Sequence, residues 1–158
     1  MKRFQFQLEP VLNFKQQGLD ALMVELSAIQ ASVVAQENKR SAAYQRLAEY
    51  DAESVRKNAE GMTIIEAMER QSCQQVLARR ARHEDDELAR LRREAEKKRE
   101  EIVEARKETH SLERLRDVRK SEFNAALAKA EEKELDDLTA ARRSAAVIAA
   151  ANAPAAVG

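Results

Sequence analysis

Residues 57–66 read KNAEGMTIIE, and the fold turns on them. Glycine is the residue that best closes a helix, because it enters positive φ without steric cost, and Gly61 stands where a helix would end. Thr63, with Glu66 three positions later, is a capping-box pair of the kind that opens a new helix. Upstream of this punctuation, from Val11 to Glu60, the only interruption is Gly18; downstream, from Met62 to Ala153, there is neither Gly nor Pro. Pro10 suits the first turn of a helix, where its missing N–H costs nothing.

The sequence therefore predicts an all-α chain with two helices, 10–60 and 63–150, joined by a turn at 61–63. An extended segment, 1–9, precedes them and a flexible tail, 151–158, follows. At 1.5 Å per residue the helices would be about 75 Å and about 130 Å long. Helices this polar are not stable alone in water and must bury a stripe against a partner.

The stripes have a heptad period. Leu12, Leu19, Leu22, Leu26, Ile29 and Val33 are spaced as an a/d seam. Leu88, Leu91, Ala95, Ile102, Ala105 and Leu112 repeat it in the second helix, with Lys98 and Thr109 as polar interruptions. In an antiparallel hairpin, paired residue numbers have a constant total. Leu12 with Leu112, Leu22 with Ile102, Ile29 with Ala95, Val33 with Leu91 and Leu47 with Leu77 all total 124, whose midpoint falls beside Gly61. By heptads alone a shift of seven matches almost as well; the coincidence with the turn selects this register. The reading is a long antiparallel two-helix coiled-coil hairpin whose second helix is longer than the first. A parallel homodimeric spacer would also suit the heptads, but it has no account of Gly61 followed by a capping box.

In that register helix 1 is used up near residue 112. Residues 113–150 then overhang, still carrying Leu115, Val118, Phe123, Leu127, Leu135, Leu138, Val147 and Ile148. An uncovered apolar stripe implies another chain. Phe4, Phe6 and Leu8 alternate at period two, so an extended segment shows them on one side, within reach of Val118 to Phe123; it would cover that part of the stripe and leave the rest free.

Composition removes several function classes. The 158 residues hold 28 Lys+Arg and 28 Asp+Glu, and the balance holds locally: 8 of each in 1–60, 12 of each in 61–110 and 8 of each in 111–158. Nucleic acid is not the expected partner, because phosphate binding needs a basic excess. The run 90–101, RLRREAEKKREE, reads as a salt-laced helix face. One cysteine, Cys73, allows no internal disulfide. No apolar run approaches the roughly 20 residues of a membrane span, and the opening MKRFQFQLEP is not a secretory signal.

No phosphate loop, HExxH, CxxC or GxSxG motif is present. His83 with Asp86 and Glu87 shares a helix face, but a solvated charged surface is the reading preferred to a metal site. His110 reads as a surface histidine. Tyr44 and Tyr50 read either as core-edge packing or as aromatic anchors for a partner. No enzyme, cofactor or metal is expected.

The opening FQFQLEPVL (4–12) resembles the start of the FliJ family, the small soluble component of the bacterial flagellar type III export apparatus. SLERLRDVRKSEF (111–123) and EKELDDL (132–138) are similar to that family's C-terminal helix. The resemblance implies an antiparallel coiled coil akin to the central stalk of rotary ATPases. It implies association with the hexameric flagellar export ATPase, with the cytoplasmic domain of a large export-gate membrane protein, and with export chaperones. It implies no hydrolysis by the chain itself, and a cytoplasmic place at the inner membrane, reached through the export apparatus and without insertion. Phe4, Phe6, Leu115, Val118, Phe123, Leu127, Leu135, Asp136 and Leu138 would meet the ATPase. Leu47, Tyr50, Met68, Ser72, Gln75 and Arg79 would meet the gate, with Ser54 and Ser72 standing where that surface is more aromatic. A virulence secretion system uses similar stalks; the Phe-x-Phe start favours the flagellar branch.

Overall fold

The computed structural model describes residues 3–151; residues 1–2 and the expected tail from 152 onward lie outside the described residues. Helix α1 runs Glu9–Glu60 and α2 Ile64–Ala151, 52 and 88 residues long. The chain is all-α, an antiparallel two-helix hairpin with the second helix the longer.

Each boundary has a local cause. Leu8 caps α1: its carbonyl accepts the Leu12 N–H at 2.9 Å. The helix thus begins one residue before Pro10, which still lies in the first turn, where no donor is needed. Gly61 closes α1 with φ +103°, and its N–H returns to the Asn58 carbonyl at 3.3 Å. Thr63 and Glu66 make the reciprocal capping box. The Glu66 carboxylate accepts the Thr63 N–H at 2.9 Å, and the Thr63 hydroxyl accepts the Glu66 N–H at 3.3 Å. Thr63 is therefore the cap, and the first helical residue of α2 is Ile64.

The chain groups into two compact units, one of Met1–Asn13 with Thr109–Gly158, the other of Phe14–Glu108. In the second, cross-helix pairs fix the register. Lys15 meets Glu108 at 2.6 Å and Lys98 meets Glu25 at 3.0 Å, each pair with a residue total of 123. Gln74 donates to Asp51 at 2.8 Å, with a total of 125, and Arg70 donates to Ser54 at 3.0 Å, with a total of 124. Leu88, Ala95, Ile102, Ala81 and Ala43 are buried along this seam.

The seam is more polar than its apolar residues suggest. Between Val33 and Leu47 it continues through Gln36, Arg40 and Ala43, at the same three-and-four spacing. Gln36 is 7% exposed and Thr109, in the other unit, 4%. A buried amide survives because its partners are present: Gln36 donates to the Glu84 carbonyl at 3.2 Å and to the Glu84 carboxylate at 2.6 Å.

One expectation needs correcting. An 18-residue window of α1 reaches a mean hydropathy of 1.4, so by length and composition this helix could cross a membrane. The cause is a pair of apolar rows on opposite sides of α1. Leu19, Leu22, Leu26, Ile29 and Val33 are half-buried on the seam side. Phe14, Ala21, Val24, Ala28, Ala31 and Ala35 stand two positions further on in each heptad, about 200° round the helix, and are exposed.

Candidate functional site

The first candidate surface belongs to the unit of Met1–Asn13 with Thr109–Gly158. Here Leu12 is buried, at 1% exposed. Residues 3–6 then run without helical structure and lie against α2. The Phe4 ring packs on Phe123, centroids 5.7 Å apart and planes tilted by 53°, a geometry favoured by the ring quadrupoles. Glu9 and Arg116 approach to 3.7 Å at the base of this segment.

From residue 124 to 151 every position of α2 is exposed. The nine residues expected to meet the ATPase do not form one face. Phe123, Leu127, Leu135 and Leu138 are spaced 4, 8 and 3, which keeps them on one side of a helix. Val118 and Asp136 each lie nine residues from Leu127. That is two and a half turns, so both point to the opposite side. Phe4 is half-buried against Phe123, and Phe6 is half-buried too. Leu115 is exposed beside the extended segment, where it lines a hollow of about 790 Å³ with Arg119, Glu122 and Phe123.

The second candidate surface lies near the turn. Met68, Ser72, Gln75 and Arg79 are spaced 4, 3 and 4, so they share one face of α2, and all are exposed. The seam row of α2 is Arg70, Gln74, Leu77 and Ala81, two positions later in each case, so the Met68 face points away from α1. Leu47 and Tyr50 are half-buried on the seam side of α1. The structure thus does not unite the six expected gate contacts. What joins Met68 instead is apolar and was missed: Ile64, Ile65 and Val76 are 81%, 71% and 63% exposed. The i, i+4 spacing of Ile64 with Met68, and of Ser72 with Val76, was the available signal.

Behind that face sits a polar cluster that the sequence reading also missed. Arg70 donates to Ser54 at 3.0 Å and to Glu53 at 3.2 Å, and its guanidinium lies 5.5 Å from the Tyr50 ring centre. The Tyr50 hydroxyl donates to the Arg70 carbonyl at 3.4 Å. The small Ser54 leaves room for this arginine. Hydrogen bonds from Lys57 and then Arg70 hold the Glu53 carboxyl below its ordinary pKa. Desolvation, then a hydrogen bond with Cys73, raises that of Tyr50.

The acidic run after His83 is not simply a solvated face. Arg40 and the Tyr44 hydroxyl both donate to Asp85 across the seam, and the Arg40 guanidinium lies 5.1 Å from the Tyr44 ring centre. Hydrogen bonds from Tyr44, then Arg40, lower the Asp85 pKa. No group of three or more His, Cys, Asp or Glu is placed to hold a metal among the described residues. Run 90–101 is salt-laced within α2, as in Arg99 with Glu96 at 2.8 Å. It also reaches across the seam, as in Arg92 with Glu37 at 2.7 Å.

Both surfaces present exposed apolar side chains on α2. Compared with known proteins, the chain matches the model of one family, described as flagellar FliJ protein, over residues 4–146. No curated protein and no solved structure matches it.

Proposed function

The chain belongs to the flagellar FliJ family, a structural component of the flagellar protein export apparatus, and we propose that within that apparatus it is the stalk of the hexameric export ATPase. The observation that carries the reading is the face of Phe123, Leu127, Leu135 and Leu138. Leu127 and its two successors stand on a stretch of α2 that is exposed at every position, with no cover among the described residues. An apolar face on a helix costs solubility unless a partner takes it. A ring of ATPase subunits around a central pore offers an inner wall on which a helix can seat one apolar face.

The same reading gives the turn-proximal face a second partner. Ile65, Met68, Ser72, Gln75 and Arg79 form an outward apolar-to-polar band on α2, and we assign it to the cytoplasmic domain of the export gate. Escort of emptied export chaperones belongs to the same proposal, as does a working position at the cytoplasmic face of the inner membrane, reached through these partners.

The test is the activity of the cognate flagellar export ATPase with and without this chain. Stimulation by the native sequence that is lost in Leu127→Asp and Leu138→Asp supports the stalk. Equal activity in every combination removes it and leaves the hairpin with a different partner.

A further inference from the structure

We propose that residues 3–8 are a displaceable strap, closed over Phe123 in the free chain and expelled when a partner occupies the Leu127 face. The proposal rests on the stalk reading above and adds its control.

Three observations carry it. The first is position. Phe123 lies one helical turn before Leu127, on the same side of α2. A partner seated along Leu138, Leu135 and Leu127 that extends one turn further meets Phe123, and finds Phe4 already on it, ring to ring at 5.7 Å. Strap and partner therefore compete for one contact.

The second is how the strap is held. Its backbone hydrogen bonds run forward into α1: Glu9 N–H to the Phe6 carbonyl at 3.1 Å and Leu12 N–H to the Leu8 carbonyl at 2.9 Å. Among the described residues, none joins it to α2. The attachment is by side chains, through half-buried Phe4 and Phe6 and, at its base, Glu9 with Arg116. A segment with few buried contacts and no backbone ladder opens long before the helices do.

The third is what lies beside it. Leu115, Arg119 and Glu122 line a hollow of about 790 Å³ on one flank. Arg116, Asp117 and Lys120 line another, of about 700 Å³, on the other. The strap sits as a ridge between open troughs, not as an embedded strand. It can leave without disturbing the helix beneath.

The consequence is that Phe4 acts opposite to a contact residue. As a direct ATPase contact, its loss weakens binding. As a competitor, its loss strengthens binding, because the apparent affinity rises with the fraction of chains already open. The chain has no Trp, so Phe4→Trp supplies a single emitter on the strap.

The whole 158-residue chain is titrated with the cognate export ATPase. On binding, the indole at position 4 is expected to shift to the red and to become roughly two-fold or more accessible to acrylamide, as a population shift to the open strap requires. Phe4→Asp, checked for unchanged helicity, is expected to bind the ATPase about three-fold or more tightly. Binding with the indole still shielded overturns the strap and leaves the stalk reading standing. So does Phe4→Asp binding equally or more weakly. Absence of binding by every form removes the stalk reading and this inference together.

Discussion

Gln36 of α1 and Glu84 of α2 are joined twice across the seam, the amide nitrogen donating at 3.2 Å to the backbone carbonyl and at 2.6 Å to the carboxylate. Removing the amide leaves a buried seam position underfilled, whereas an apolar side chain fills it. Gln36→Ala should therefore lower stability by about 1–2 kcal/mol, and Gln36→Leu should be neutral or stabilising. Urea unfolding followed by helicity measures both. A Leu variant less stable than the Ala variant would show that the amide contributes more than its volume.

Two glycines should respond with opposite sign to the same substitution. A Cβ at Gly18 or at Gly61 meets nothing within 4 Å, but Gly61 sits at φ +103°. Gly18 lies inside a regular helix, so Gly18→Ala should stabilise by about 0.5–1 kcal/mol. Gly61→Ala should destabilise by about 1 kcal/mol, because alanine strains at positive φ whatever the space around it. Thermal unfolding of the two variants side by side decides the matter; a gain in both would mean that the turn relaxes out of its left-handed geometry.

Acid should destabilise the fold, through the seam at Asp85 and Glu53 and within α2 at Glu66 and Glu87. The carboxyls of Asp85, Glu53, Glu66 and Glu87 all lie below their ordinary pKa, held there by Tyr44 and Arg40, by Lys57 and Arg70, by Thr63, and by Arg90 respectively. A depressed folded pKa stabilises the fold above the unfolded value, about 4 for these groups, and that stability is lost as pH falls through the folded value. These four groups therefore contribute no slope above about pH 5 and a falling one below it. Helicity melts between about pH 2 and 7 should show this decline, with Asp85→Asn giving a shallower one. A melt that rises on acidification would contradict the pairing.

The hairpin was legible because its signals are local and redundant. Gly61 and the Thr63/Glu66 pair mark the turn without reference to the heptads, and among heptad registers, which repeat every seven residues, that turn selects the total of 124. Gln36, Arg40 and Arg70 were not legible for the opposite reason. A search for heptads by apolar residues passes over seam positions filled by long polar side chains, although Ser54 with Arg70 obeys the same total as Leu22 with Ile102. The candidate surfaces were read as sets of residue types, not as helix angles. Val118 and Asp136 were therefore grouped with Leu127, and Leu47 with Met68, though they face opposite ways. Phe4 carries two sequence readings, cover for the stripe near Phe123 and contact with a partner, because a sequence does not tell a ring waiting for a partner from one already packed; in the structure the ring lies on Phe123.

Helix geometry also gives the docking face a control. Leu127 is 37% exposed and Val118 48%, nine residues apart and on opposite sides of α2. Neither supports the packed seam, so Leu127→Asp and Val118→Asp should each change the stability of the free chain by no more than about 0.5 kcal/mol. Their effects on the export ATPase should differ: Leu127→Asp abolishes stimulation, because a carboxylate on the docking face must be desolvated, while Val118→Asp leaves it intact. Measuring stability and stimulation on the same preparations separates a lost contact from a lost fold. Equal loss in both variants would mean that the partner surrounds α2 completely at this level, and the single docking face would then have to be widened to the whole circumference of the helix.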